Sequence, residues 1–405
     1  MGLGNLFRFP GLAVKYGLIY IVAYTVILIA AGLPLLYCEL ALGRKRGGGA
    51  VKSFSNLKNG KLVGWLCCAD SFIIMTYYCV LFGFVMLAAV FSFRLADSDK
   101  AGRVFTDILY PKGFPTLPLL FLVAAWAAVI LCFGKAEKLG KISTASVIFA
   151  TAVIGGLAVF RGISYPQQLL TFCRIDFSCL TLPEFWTDAA GQVFFSLSLM
   201  VGVMPAYGSF LDKKENIVLC GGIIALFDLI ISVFATFIYA TAVTDGSEGL
   251  LACFSVYPEV FASLGGVLGS IVSFLFYLSL ALLCLDSVFA YLKSITGCLR
   301  YRFSATEDFF VVITVAVSAL LGVFLLGSAG KPLVDFADSV LAPRLTLLAG
   351  FLEAVIFARL ALGKELIGEI NLGCKRGISP KLFEFSCKVI CPVMLMLLIL
   401  CEMFT

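Results

Sequence analysis

The feature that most constrains this chain is a recurrence of apolar runs about 20 residues long, separated by short polar stretches. A helical run of that length matches the hydrocarbon thickness of a bilayer. Read this way, the chain offers a short first segment near 3–15, then runs near 18–42, 65–93, 117–133, 142–160, 188–209, 216–243, 265–292, 309–327, 334–360 and 384–404. These are taken as spans 1 to 11. Composition agrees: 61% of residues are hydrophobic and 14% charged, whereas soluble domains carry about 25% charged residues. The 405 residues therefore read as one all-α, polytopic transmembrane domain with no soluble domain of any size.

The formal net charge of +5 does not point to nucleic acid, because the bases sit in short loops. Arg44, Lys45, Arg46, Lys52, Lys58 and Lys61 follow span 2, Lys135, Lys138 and Lys141 follow span 4, and Lys213 and Lys214 follow span 6. Arg300 and Arg302 after span 8, and Lys364, Lys375, Arg376 and Lys381 after span 10, fall on the same side, which is expected to be cytoplasmic in a multi-pass protein of the cell membrane. The loop after span 7 holds Asp245, Glu248 and Glu259 without a base, as an external loop can. The 15 cysteines lie mostly in apolar runs and there is no histidine, so neither metal redox chemistry nor a redox cofactor is expected. Cys173 and Cys179 share a loop placed outside, where they read either as a disulfide or as small packing residues. The first apolar stretch has no basic n-region or small-residue cleavage site and does not read as a signal peptide.

Charges inside spans need a partner or a task, since each costs about 2.5–3.5 kcal/mol on insertion scales. Asp228 lies midway along span 7 and Asp286 towards the middle of span 8. Either is a buried acid satisfied by a neighbouring helix or part of an ion or proton site. Two spans are also interrupted, span 1 by Gly2, Gly4, Asn5, Arg8 and Pro10, and span 6 by Ser196, Ser198, Gly202 and Pro205. Glycine and proline in a span often mark only a packing kink. Breaks at matching positions of two five-span halves, however, are the signature of inverted-repeat transporters, whose unwound backbone offers carbonyls to cations and amides to carboxylates.

The run Gly2-Leu3-Gly4-Asn5-Leu6-Phe7-Arg8-Phe9-Pro10 resembles the first-span motif of the neurotransmitter:sodium symporter family. Further similarities follow in order: Gly32-Leu33-Pro34 with Glu39-Leu40-Ala41-Leu42-Gly43, the stretch Gly134 to Lys141, the stretch Gly191 to Leu199, and Leu285-Asp286-Ser287 with Phe289. The resemblance covers nearly the whole chain. It implies a LeuT-like fold of two inverted five-span repeats, about 1–162 and 187–361, plus an extra helix near 384–404. The implied function is sodium-coupled symport of amino acids or small amino-acid-like solutes by alternating access, with Na+ as coupling ion and no enzymatic activity. One sodium site would use Asn5, Ser196 and Asp228, and the other the Leu283 carbonyl with Asp286 and Ser287; oxygen ligands suit this hard cation. The substrate carboxylate would meet the amides of Leu3 and Gly4 and the hydroxyl of Tyr78, under a lid formed by Phe195. Ile74, Ser198, Val201 and Tyr291 would shape the walls, and Arg8 with Asp335 would close the external side as an ion pair. Tyr24, Gln192, Ser196 and Ser232 match a chloride site of some members, but Asp228 already supplies negative charge where many members carry a neutral Asn, so chloride dependence is the weaker expectation.

The sequence also departs from the pattern. It opens at Met1 inside the first-span motif, so span 1 reads as incomplete, from a wrongly assigned start, a truncation or a natural short form. A transport-inactive relative that keeps the fold and only binds a ligand or partner is the alternative this raises. Met200 stands where the family usually has a glycine, so its side chain is expected to intrude on the pocket and favour a small substrate. Arg300 or Tyr301 replaces an acid usual at the inner end of span 8.

Overall fold

The computed structural model describes residues 3–95, 101–134, 136–173, 175–242, 252–362, 365–374 and 377–404. Gly2, Lys135, Asp245, Glu248, Lys364, Lys375 and Arg376 lie outside the described residues, as does the side chain of Lys138. Nine described helices are long and apolar enough to cross a membrane: Leu18–Arg46, Gly60–Arg94, Thr116–Phe133, Lys141–Ser164, Ile217–Ala242, Gly266–Arg302, Glu307–Phe324, Gly327–Leu360 and Pro380–Glu402. The other two expected spans are the interrupted ones. Span 1 consists of a 3-10 turn at Leu3–Asn5 followed by a helix at Arg8–Tyr16, and span 6 of helices Pro183–Ser196 and Val203–Gly208 around a non-helical step.

Span 8 outruns the apolar stretch that announced it. It was expected to end near 292 but continues as one helix to Arg302. Lys293 breaks the apolar run without breaking the helix, because its Nζ is held 2.5 Å from Glu307 at the start of span 9. Loops contribute short helices with no apolar run of their own, among them Ala101–Leu109 and Ala252–Ala262. The second lies against the outer part of span 1: Phe254 packs on Phe7 at 5.5 Å between ring centroids, and the Tyr257 hydroxyl donates to the Leu6 carbonyl at 3.3 Å. Cys173 and Cys179 are both free thiols.

Close approach of spans 2 and 6 explains part of the Gly-Leu-Pro to Leu-Gly pattern of span 2. A Cβ on Gly43 would stand 2.1 Å from the Pro205 carbonyl oxygen, so the second half of span 6 can cross only over a glycine. Arg44 beside it is clamped to Glu369, 2.7 Å from Nε to Oε1, and donates to the Glu215 carbonyl at 2.8 Å. Spans 2, 10 and 11 each contain one π-helical turn, at Leu28–Gly32, Ala337–Leu341 and Ser386–Ile390. Such a turn misaligns the backbone ladder, and carbonyls freed in lipid need new donors; the Ser386 hydroxyl supplies one to Ala30.

Candidate functional site

The two interrupted spans meet at the centre of the bundle. In span 6 the helix stops at Ser196 and the chain turns through positive φ at Ser198 (51°), Met200 (66°) and Gly202 (76°) before helix resumes at Val203. Two of these three residues carry side chains, in a conformation that costs roughly 1–2 kcal/mol for an L-residue. Contacts from other spans hold them there. The Met200 amide donates to Oε1 of the buried Glu39 at 2.8 Å, and the Ser71 hydroxyl donates to the Val201 carbonyl.

Asp228 stands beside this break, 3% exposed. Its Oδ1 accepts from Asn5 Nδ2 at 2.6 Å, and its Oδ2 accepts from the Tyr24 hydroxyl at 2.5 Å and from Ser196 Oγ at 3.3 Å. Tyr24 and Ser196 are themselves 2.7 Å apart. Asn5, Ser196 and Asp228 are thus brought together, with Tyr24 joining them. All three donors are neutral, and among the described residues no lysine or arginine pairs with this carboxylate. Asn5 Oδ1 is also buried with no hydrogen-bond partner. A buried carboxylate without a cation, next to an orphaned amide oxygen, is a donor set that fits a small hard cation. The other chloride-position residues are otherwise engaged. Gln192 Nε2 donates to the Gly4 carbonyl at 3.3 Å, and Ser232 Oγ donates to the Asp228 carbonyl at 2.7 Å, one turn back on its own helix.

A cavity of about 590 Å3 adjoins this cluster, lined by Gly4, Tyr78, Phe195, Ser198, Ser287 and Tyr291 among others. At its span 1 side the Leu3 amide donates to the Tyr78 hydroxyl at 3.2 Å, so these two candidate carboxylate binders already converge. Asp286 also lines the cavity, and Ser287 Oγ donates to the Leu283 carbonyl at 3.0 Å, placing the second candidate ion set on one turn of span 8. Ser143 of span 5 faces Asp286 across a small adjoining pocket. Ile74 and Val201, expected to shape the walls, are buried but are not among the residues that line the cavity. Val203, Tyr207, Asp286 and Ala290 are shared with a wider vestibule of about 1590 Å3 that reaches Lys293 and Glu307. The cavity and the vestibule therefore share a wall, and the vestibule lies towards Lys293 and Glu307.

Two sequence expectations are corrected. Arg8 and Asp335 form no ion pair; Asp335 is exposed, while Asp338, three residues on, is 7% exposed and feels the charge of Arg8. The π-helical turn at Ala337–Leu341 is where span 10 turns this second acid inward. Met200 does not enter the cavity: it is fully buried, with its sulfur at the notch left by Gly350 in span 10.

Sequence reasoning also passed over several buried polar groups. Glu39, Asp70 and Glu353 are all 0% exposed. Cys67 donates to Glu353 at 3.0 Å and Thr346 donates to Asp70 at 2.6 Å. The signal was available, an acid inside an apolar run, but only Asp228 and Asp286 were weighed by it.

The profile of the sodium:neurotransmitter symporter family matches residues 1–99 and 109–405. A sodium-dependent transporter of Methanocaldococcus jannaschii is 25% identical over 404 residues, covering 92% of this chain and 80% of that protein. The sodium- and chloride-dependent creatine transporter 1 of Mus musculus is 25% identical over 434 residues, covering 88% of this chain and 67% of that protein. The crystal structure of MhsT in complex with L-phenylalanine superposes with a TM-score of 0.87 at 23% identity, covering 99% of this chain and 95% of that one. The fold is thus LeuT-like, as the resemblance implied.

Proposed function

Because the chain belongs to the sodium:neurotransmitter symporter family, we propose that it moves an amino acid or small amino-acid-like solute across the membrane together with sodium. The observation that carries this reading is the Asp228 cluster, in which a buried carboxylate gathers Asn5 and Ser196 from the two interrupted spans and has no cationic partner among the described residues. A sodium ion there would neutralise the carboxylate and join spans 1, 6 and 7. A second ion would bind at Asp286 and Ser287 with the Leu283 carbonyl, on the vestibule side.

The substrate would lie between these sites, its carboxylate on the Leu3 and Gly4 amides and the Tyr78 hydroxyl, with Phe195, Ser198 and Tyr291 around it. Creatine and phenylalanine, named for two of the similar proteins, each pair a carboxylate with a compact body, which is the class proposed here. Coupling follows when ion and substrate favour the same closed state. Two inverted repeats, about 1–162 and 187–361, would rock around the fixed site. Arg8 and Asp338 supply the opposite charges for closure above it. Chloride is not required in this reading, because Asp228 brings the negative charge to Tyr24 and Ser196.

The test is uptake of a labelled amino-acid panel, with creatine included, into proteoliposomes under an inward sodium gradient and a potassium control. Uptake of at least one solute with sodium only is expected. No uptake of any solute by folded protein would favour the transport-inactive reading.

A further inference from the structure

Met200 adopts a left-handed backbone conformation, φ 66°, that the family's usual glycine reaches without strain. Its amide is pinned by Glu39 of span 2 at 2.8 Å. Its side chain, fully buried, leaves the substrate cavity and fills a notch in span 10: a Cβ built on Gly350 would lie 1.9 Å from Met200 Sδ, 2.9 Å from Cε and 3.0 Å from Cγ. No real Cβ tolerates the first of these, so the methionine and the glycine are fitted to each other as knob and hole. One turn further along span 10, Glu353 accepts from Cys67 of span 3 at 3.0 Å. Earlier in the same span, Asp338 lies in the field of Arg8.

We infer that Met200 is a positioning residue whose side chain, seated on Gly350, links the unwound step of span 6 to span 10 and so makes the seating of span 10 part of the ion site's geometry. Ser198 lies just before Met200 on the same unwound stretch, and Ser196 ends the helix that leads into it. A shift of span 10 therefore displaces hydroxyls beside Asp228 and the cavity. Reciprocally, ordering those hydroxyls around an ion favours one seating of span 10. The inference rests on the proposed sodium symport for its functional half; the fitted joint stands on packing alone.

The experiment is a double-mutant cycle with Gly350→Ala, Met200→Gly and the pair together, read in both melting temperature and the sodium dependence of uptake. Gly350→Ala should lower the melting temperature and raise the sodium concentration for half-maximal uptake about fivefold or more, the lower end of measured couplings between sites. Adding Met200→Gly should recover the melting temperature, since the double variant removes the clash, while the sodium half-saturation should stay no lower than in Met200→Gly alone, since the step remains unseated. Met200→Gly alone should fold and show a raised sodium half-saturation, because the unwound step is no longer seated. Additive melting temperatures would overturn the joint, since contacting residues couple by 0.5–3 kcal/mol while independent sites add. Shifts in melting temperature alone, with sodium half-saturation unchanged in Met200→Gly, would overturn the positioning role. If the parent chain transports nothing, the melting cycle still decides the joint, and sodium-induced stabilisation of parent and variants replaces uptake as the reading of the link.

Discussion

Replacing Asp228 by asparagine keeps the shape of the side chain and removes its charge, which makes it the sharpest probe of the ion site. The amide oxygen can retain the bond from Asn5, now 2.6 Å, while the hydroxyls of Tyr24 and Ser196, now 2.5 Å and 3.3 Å from Oδ2, can turn to accept from the new amide N–H groups. Folding is therefore expected to survive. The loss falls on the bound cation, because every other group around Oδ1 and Oδ2 is neutral. Removing one member of a buried charge pair costs about 3–5 kcal/mol. At 1.4 kcal/mol per tenfold, the sodium half-saturation should rise by about 100-fold or more. The assay is initial uptake rate against external sodium in proteoliposomes, with the melting temperature of parent and variant as the control for folding. A half-saturation within about threefold of the parent, less than ~0.7 kcal/mol, would refute the assignment of the carboxylate to sodium.

Other expectations follow from the same geometry. Asp286→Ala should abolish sodium-dependent uptake while expression stays intact, and retained uptake in the same assay would remove the second ion site. Tyr78→Phe leaves the Leu3 amide without its 3.2 Å acceptor, and a buried group so stranded costs about 1–3 kcal/mol; substrate half-saturation should rise by roughly fivefold to 100-fold in uptake competition. Asp338→Asn should slow transport more than Asp335→Asn does, since the first acid is buried and feels the charge of Arg8 while the second is exposed; parallel uptake rates for the two variants check this.

Much of the architecture was legible because bilayer thickness imposes one length on every span. The uninterrupted spans come from that length alone, and the two broken ones from glycine, proline and polar residues where lipid-facing helix would exclude them. Side-chain placement was less legible. Asp335 and Asp338 lie three residues apart, nearly one helical turn, and spacing alone does not choose between them; the π-helical turn does, and it leaves no mark in the apolar pattern. Met200 was read as an intruder because its partner, Gly350, is distant in sequence, and only the fold brings the notch to it. The Ala252–Ala262 helix escaped because it carries Pro258 and a mixed polarity, yet it covers span 1 through Phe254 and Tyr257. Glu39 was in view as part of a motif, but its task, holding the Met200 amide, depends on a left-handed backbone that no residue type announces.

The most direct test of the central claim is the flux of radioactive sodium into proteoliposomes, measured with and without the solute that the panel identifies. The account predicts that solute accelerates sodium entry and that sodium accelerates solute entry, with both effects lost in Asp228→Asn at moderate sodium. Solute entry that leaves the sodium flux unchanged would contradict sodium coupling.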